Sequence, residues 1–298
     1  MNDRPSIGWI GTGIMGAPMA GHLLEAGYEL TVFNRTAARA DDLVARGARR
    51  ADGPAAAAHG ADVVVTMVGF PADVRRTILA DDGALTGMAP GTLLVDMTTS
   101  EPTLAAEIHA AAAAREVVAL DAPVSGGELG ARNATLVIMA GGDPEAFARA
   151  EPLFAHLGRT AVLQGPPGSG QHTKMVNQIA IASGMIGVCE AMLYARRAGL
   201  DVERVVDTIK DGAAASWSLS NYGPRLLRSD LEPGFKIDHF VKDLGLALLE
   251  ARRMKLPLAG TALAEQLYVA AQSQGFGQKG TQALLVTLDR LAGEAPAR

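Results

Sequence analysis

Two stretches of this chain carry residues whose types and spacing could do chemistry on a small molecule. The first is Lys174 with Asn177, which follow the breaker-rich run GPPGSG at 165–170 and stand at the head of a long apolar segment. Residues three apart share one face of a helix. A solvated ammonium has no structural reason to sit there, although a lysine can lay its stem on apolar surface and send its head to water, with Asn177 as a mid-helix polar residue. The second is Ser125-Gly126-Gly127 within DAPVSGGELGA at 121–131. A hydroxyl beside two backbone N–H groups that no side chain obstructs is suited to holding a carboxylate, and a plain turn would need fewer glycines.

A third group predicts what these residues work beside. Gly11-Thr12-Gly13-Ile14-Met15-Gly16 has the GxGxxG spacing, follows the apolar run IGWI at 7–10 and opens a helix-compatible segment. That context makes it a dinucleotide turn: Gly11 for the tight bend, Gly13 for close approach of the pyrophosphate to the helix N-terminus, Gly16 for packing of helix on sheet. Where a carboxylate for the ribose hydroxyls is usual, the chain reads Asn34-Arg35-Thr36. Arg35 can pair with a 2′-phosphate while Asn34 and Thr36 hydrogen-bond it, so the expected cofactor is NADP, with NADPH preferred over NADH. Arg35 as a solvated turn residue and Thr36 as a helix N-cap is the plainer alternative, and capping is compatible with phosphate contact. Met67, Val68 and Thr99, with Thr98, stand at the ends of two further strand-like runs and join the expected cofactor set. Beside a positive nicotinamide, a partly desolvated Lys174 would have its pKa drawn down from about 10.4 and could pass a proton.

The elements that must position these groups follow from periodicity. Apolar runs at 7–10, 28–33, 61–68, 92–97, 117–121 and 135–140, with a shorter one at 161–165, alternate with helix-compatible segments at 14–26, 36–46, 71–80, 101–115 and 143–157. This predicts a doubly wound, mostly parallel sheet. From Gly170 onward the pattern is helical, beginning with a helix over about 170–198, which at 1.5 Å per residue is on the order of 40 Å long. Ala182, Gly184, Gly187 and Ala191 inside it predict close packing by other helices, and Gly199 predicts its stop. The expected architecture is thus an α/β Rossmann domain at 1–165, then an all-α substrate and dimerisation domain at 166–298, joined by that long interdomain helix. The final GEAPAR reads as a frayed tail.

Composition narrows the function classes. Lys plus Arg is 27 against 32 for Asp plus Glu, a net charge of −5 with no long run of one sign, so no nucleic-acid partner is expected. The single cysteine, Cys189, and six dispersed histidines give no metal site. The N-terminal apolar run is too short for a signal segment and no charge-free apolar stretch reaches about 18 residues elsewhere, so the expectation is a cytoplasmic protein with no membrane partner.

Taken in order, GxGxMGxxM at 11–19, DAPVSGGxxGA at 121–131, GxxGxGxxxK at 165–174 with Asn177, and Lys242-Asp243 in FVKDLGLAL resemble the β-hydroxyacid dehydrogenase family over nearly the whole chain. The resemblance implies a helical domain that builds a homodimer or homotetramer. It also implies Lys174 as acid/base and Ser125, Gly126 and Gly127 as binders of a small carboxylate-bearing substrate. Lys242 would reach the cofactor and Asp243 would support the site. Many members read K-x-x-N-N, whereas Asn177-Gln178 follows here, so either Asn177 or Gln178 takes the substrate-orienting role. The expected activity is NADPH-dependent interconversion of a short semialdehyde, or 2-oxo acid, and its hydroxy acid. Imine reductases share this fold and the Asn-Arg-Thr turn but usually lack the lysine. A non-catalytic dinucleotide module for sensing or assembly predicts neither an acid/base nor a carboxylate site.

Overall fold

The computed structural model describes residues 4–293, so all of the GEAPAR tail beyond Gly293 lies outside the described residues. Tertiary contacts divide the chain into two compact units, Met1–Lys174 and Met175–Arg298.

The first unit is built on a sheet of nine strands: β1 (Ile7–Ile10), β2 (Leu30–Phe33), β3 (Arg49–Arg50), β4 (Val63–Thr66), β5 (Leu93–Asp96), β6 (Val118–Asp121), β7 (Val124–Ser125), β8 (Leu136–Gly142) and β9 (Gly158–Gly165). Their order is β3-β2-β1-β4-β5-β6-β8-β7, with β9 paired to β8. The runs IGWI, VVVT and LLVD are buried at every position, as central parallel strands covered on both faces must be. The covering helices are α1 (Gly16–Glu25), α2 (Asp41–Ala45), α3 (Pro54–Ala58), α4 (Pro71–Leu79), α5 (Ala84–Gly87), α6 (Pro102–Ala113), α7 (Gly127–Arg132) and α8 (Pro144–Phe154). One expectation is sharpened and one is corrected. Within the mostly parallel sheet β8 runs antiparallel to β6 and β7, pairing Asp121 with Gly141 and Val124 with Ile138. The segment at 36–46 is a 3₁₀ turn, Ala37–Ala40, followed by α2, instead of one helix.

The long helix is α9 (Ser169–Arg197), and the division between the units falls inside it. It ends as expected at Gly199, where φ is +71°. The Gly199 N–H donates to Arg196 O at 3.1 Å and the Leu200 N–H to Ala195 O at 3.0 Å, a Schellman closure. The second unit continues with α10 (Val202–Ile209), α11 (Trp217–Leu227), α12 (Ile237–Arg253), α13 (Ala259–Ser273) and α14 (Leu284–Leu291). Asp201 and Ser216 cap α10 and α11 through their side-chain oxygens. Its core gathers Met185 and Cys189 of α9 with Phe240, Leu244, Tyr268 and Leu284, and the Phe240 and Tyr268 rings meet edge to face at 4.9 Å. α9 is long and apolar enough to cross a membrane by length and composition, and a third of its most apolar window is buried. Val176 (66% exposed) and Tyr194 (75%) mark the uncovered face, and the close packing expected along this helix holds at the buried Ala182 but not at Gly184 or Gly187, where a Cβ would meet nothing within 4 Å, nor at the exposed Ala191.

The strand register in the first unit puts Phe33, Ile10, Thr66, Asp96 and Asp121 in one row across the sheet. The chain leaves the sheet immediately after that row, at the carboxyl edge where open α/β sheets bind ligands. Two buried carboxylates stand side by side in it. The Thr66 hydroxyl donates to Asp96 Oδ1 at 2.7 Å and the Thr98 N–H to the same oxygen at 3.1 Å. Asp96 and Asp121 line one small cavity with Ile108, His109, Leu120 and Pro167. Burial, reinforced by the charge of Asp121, pushes Asp96 up from 3.8 to about 6 despite its hydrogen bonds. Folding is therefore favoured while Asp96 keeps its proton. Stability contributed this way is present near pH 4 and is lost as pH rises toward 6, by roughly 3 kcal/mol at about 1.4 kcal/mol per unit. Asp96→Asn should remove that slope: between pH 4.5 and 7.5, wild-type unfolding free energy from denaturant titration should fall by about 2 kcal/mol relative to the variant. Parallel pH dependences would show that Asp96 ionises normally.

Candidate active site

Backbone contact shapes the glycine turn after β1. Gly11 has φ of +100°, and a Cβ on it would lie 2.2 Å from Met67 O, while a Cβ on Gly16 would lie 1.9 Å from Gly11 O. Gly13 differs: a Cβ there would meet nothing within 4 Å, so the start of α1 opens onto free space beside it. Ile14 is 52% exposed next to it, and Met15 is half-buried. The Trp9 indole N–H donates to Gly11 O at 2.9 Å, pinning the turn from below. Thr12 is 2% exposed, and its hydroxyl is buried without a hydrogen-bond partner among the described residues. A positive helix end, an open glycine and a polar atom lacking a partner fit the phosphate end of a dinucleotide.

Asn34 braces this turn. Its carbonyl accepts from the Thr12 N–H at 2.9 Å and its amide donates to Thr36 O at 2.9 Å, so both of its polar ends are engaged within the chain. Thr36 starts the 3₁₀ turn without a side-chain cap bond. Arg35 is 86% exposed along its side chain, and its Nη1 lies 2.9 Å from Asp73 Oδ1 on α4. The other Asp73 oxygen accepts from the Phe70 N–H at 3.2 Å. Farther along the same edge the Val68 N–H donates to the Thr98 hydroxyl at 3.0 Å, which joins the segment after β4 to that after β5. Met67, Val68 and Thr99 are half-buried along this edge.

Ser125 lies on β7, paired with Val137 of β8, and is half-buried. Gly126 and Gly127 follow with φ of +132° and +60° and open α7. Two successive left-handed residues need glycine for backbone reasons alone, so the glycine pair is itself a turn requirement. What the segment offers a ligand is the Ser125 hydroxyl and the amides at the start of α7.

The head of α9 is held against the sheet by close backbone approach and by hydrogen bonds. A Cβ on Gly170 would lie 2.4 Å from Met139 O and 2.7 Å from Asp121 O, and one on Gly141 would lie 2.7 Å from the Gly170 nitrogen. Asp121 accepts from the Gly168 N–H at 2.7 Å and the Gln171 N–H at 2.8 Å. Burial raises its pKa, and these amides oppose the rise. The Gln171 amide group spans back to β5: its Oε1 accepts from the Ser100 N–H at 2.9 Å and its Nε2 donates to Thr98 O at 2.7 Å. One turn on stands Lys174, 6% exposed.

In the second unit α9 continues through Asn177, half-buried, and Gln178, 1% exposed. The Asn177 amide donates to Gln178 Oε1 at 2.8 Å, and Gln178 Nε2 donates to Asp243 Oδ2 at 2.5 Å. Lys242 Nζ lies 3.1 Å from the other Asp243 oxygen, with Asp243 buried and Lys242 half-buried. On the same helix, burial and then the charge of Lys242 pull the His239 imidazole below its usual range. The structure thus brings Asn177, Gln178, Asp243 and Lys242 into one chain of contacts, with Gln178 as its hinge. Trp9, Asp73, Asp96, Asp121 and Gln171 lie outside the site residues expected from the sequence. Gln171 had a signal, standing one helical turn before Lys174; Asp121 opened a quoted motif but received no role.

Residues 6–165 match the family described as the NAD binding domain of 6-phosphogluconate dehydrogenase. Residues 168–288 match the one described as NAD-binding of NADP-dependent 3-hydroxyisobutyrate dehydrogenase. A probable mitochondrial 3-hydroxyisobutyrate dehydrogenase-like protein 1 of Arabidopsis thaliana is 52% identical, over 97% of this chain and 86% of that protein. The NAD-dependent L-serine dehydrogenase of Pseudomonas aeruginosa is 39% identical, over 97% of this chain and 99% of its own. The solved 3-hydroxyisobutyrate dehydrogenase of Mycobacterium tuberculosis, with L-serine, superposes with a TM-score of 0.87 at 31% identity, covering 95% of this chain and 99% of that one. With a nicotinamide-dinucleotide domain followed by a helical domain of this lineage, the chain is an oxidoreductase and belongs to the β-hydroxyacid dehydrogenase family.

Proposed function

We propose that this chain is an NADP(H)-dependent reductase of short semialdehydes or 2-oxo acids that bear a carboxylate, forming the hydroxy acid, with Lys174 as acid/base. The observation that carries the reading is the buried lysine on a helix start fastened to the ligand edge of a dinucleotide-binding sheet. Bound NADPH supplies the hydride for the carbonyl carbon. Lys174 gives a proton to the carbonyl oxygen as negative charge gathers there, and takes it back in the oxidative direction. Asn177 or Gln178 orients that oxygen, while Asp243 holds the Gln178 amide in place. Ser125 and the amides of Gly126 and Gly127 hold the substrate carboxylate. Gly11, Gly13, Ile14, Met15 and Gly16 take the pyrophosphate side, Met67, Val68 and Thr99 the nicotinamide side, and Lys242 a further cofactor contact.

Arg35 supports the choice of NADPH. Its present partner is a half-buried carboxylate on a neighbouring helix, but the Arg35 side chain is itself exposed, and an ion pair with an exposed member is worth little, so exchanging it for a 2′-phosphate costs little. The uncovered face of α9, with Val176, Gly184, Gly187 and Tyr194, supports a second copy of this chain as its occupant. The protein is read as cytoplasmic.

Three outcomes are expected. The native protein should use NADPH with a much higher kcat/KM than NADH, and Arg35→Ala should lower the NADPH value by about 10–100-fold, the worth of hydrogen bonds to a charged group, while NADH changes little. Equal values for the two cofactors in the native protein would contradict this. Light scattering at micromolar concentration should return two or four chains, and a monomer would leave the α9 face without its occupant. The test of the function itself compares succinic semialdehyde with butyraldehyde, and glyoxylate with acetaldehyde, at fixed NADPH. The acids should be favoured by on the order of a hundredfold, and Ser125→Ala should narrow the gap. Equal rates for acid and plain aldehyde would sink the carboxylate site.

A further inference from the structure

We infer that Gln171 is a positioning residue for the proton-transfer step: its side-chain amide sets where Lys174 stands relative to the segment after β5. The inference rests on the reading of Lys174 as acid/base. Three hydrogen bonds leave this one fully buried residue. Its backbone N–H goes to Asp121 at the end of β6, its Oε1 takes the Ser100 N–H, and its Nε2 reaches Thr98 O. The partners lie 50 to 73 residues away in sequence, so the contact is built by the fold and is not a local cap.

The segment that Gln171 grips is itself tied to the cofactor edge. Thr98 accepts from the Val68 N–H and donates its own N–H to Asp96, which in turn takes the Thr66 hydroxyl. One amide therefore connects the ends of β4 and β5 to the first turn of α9. Lys174 follows three residues later, about 4.5 Å along the helix axis and on the same face. Backbone contact alone does not fix this arrangement. The missing Cβ atoms of Gly141 and Gly170 set how near the helix start can come to β6 and β8, but neither contact reaches the segment at 98–100. The Gln171 side chain is what reaches it, in both bonding senses, and a side chain without a donor and an acceptor would leave the Ser100 N–H and the Thr98 carbonyl in a buried place without their present partner. A reacting group displaced by about 1 Å loses on the order of a hundredfold in rate.

The test uses Gln171→Met, close in shape but unable to make either side-chain bond, with Gln171→Glu as the second variant, which keeps the acceptor and loses the donor to Thr98. Leu153→Ala, in the core of the same unit, serves as a variant that lowers stability only. With the best semialdehyde acid of the panel, Gln171→Met should lower kcat by 10–100-fold while NADPH affinity stays within about twofold, and Leu153→Ala should lower Tm without that loss. In the cofactor-free protein, hydrogen exchange across 168–176 should be about tenfold faster in Gln171→Met than in wild type, and unchanged in Leu153→Ala. If Gln171→Met does not fold, Gln171→Glu is read by the same criteria. A kcat within twofold of wild type, or a fall in kcat matched by an equal loss of NADPH affinity, would overturn the inference. Near-native turnover in Lys174→Ala would instead remove the underlying reading of the lysine, whatever Gln171 does.

Discussion

The docking of the first turn of α9 onto the ends of β5, β6 and β8 is the contact on which the rest of the site depends. Two backbones approach there at distances that exclude a Cβ on Gly141 and Gly170. That closeness puts the Asp121 carboxylate against the amides of Gly168 and Gln171, where the positive end of a 29-residue helix favours a negative group. Burial works against the charge on Asp121, and the amides work for it. The result is a helix whose start is held from three strand ends at once. Lys174 inherits that fixity through one turn of α-helix, and a chain of Asn177, Gln178 and Asp243 holds the next turn in the second unit.

The cofactor side follows a second constraint, the register of the parallel strands. Because Phe33, Ile10, Thr66, Asp96 and Asp121 end their strands in one row, the segments that follow all emerge at a common edge. Each is then tied to its neighbour: Asn34 to Thr12, Thr98 to Val68, Gln171 to Thr98 and Ser100. The exception is Arg35, which reaches outward to Asp73 on the surface. A rigid edge with one exposed, exchangeable cation suits a ligand whose pyrophosphate is held by backbone and whose distal phosphate is selected by a side chain.

Much of this was legible in the sequence, for identifiable reasons. The glycine turn announces itself because close backbone approach admits nothing else at Gly11 and Gly16, and the central strands because burial on both faces demands continuous apolar runs. The long helix was readable to within a residue at each end, through the breakers before it and Gly199 after it. Strand direction was not, since apolar runs look alike whichever way they run, and nothing in the run at 135–140 marks β8 as antiparallel. The Gly126-Gly127 pair looked like a ligand feature, and its positive φ values show that the backbone itself requires it. The polar network of Asp121, Gln171, Thr98 and Asp96 was invisible because its partners are many tens of residues apart, and no periodicity marks a buried amide.

The central claim is that the ammonium of Lys174, held by this docking, gives the proton. Chemical rescue of Lys174→Ala tests it most directly: semialdehyde reduction is followed at fixed NADPH and constant ionic strength while methylammonium, ethylammonium or tetramethylammonium is added. The account predicts that turnover rises with the concentration of the two proton-bearing amines and does not respond to tetramethylammonium. No rise with methylammonium in a variant that still binds NADPH, or an equal rise with tetramethylammonium, would contradict it.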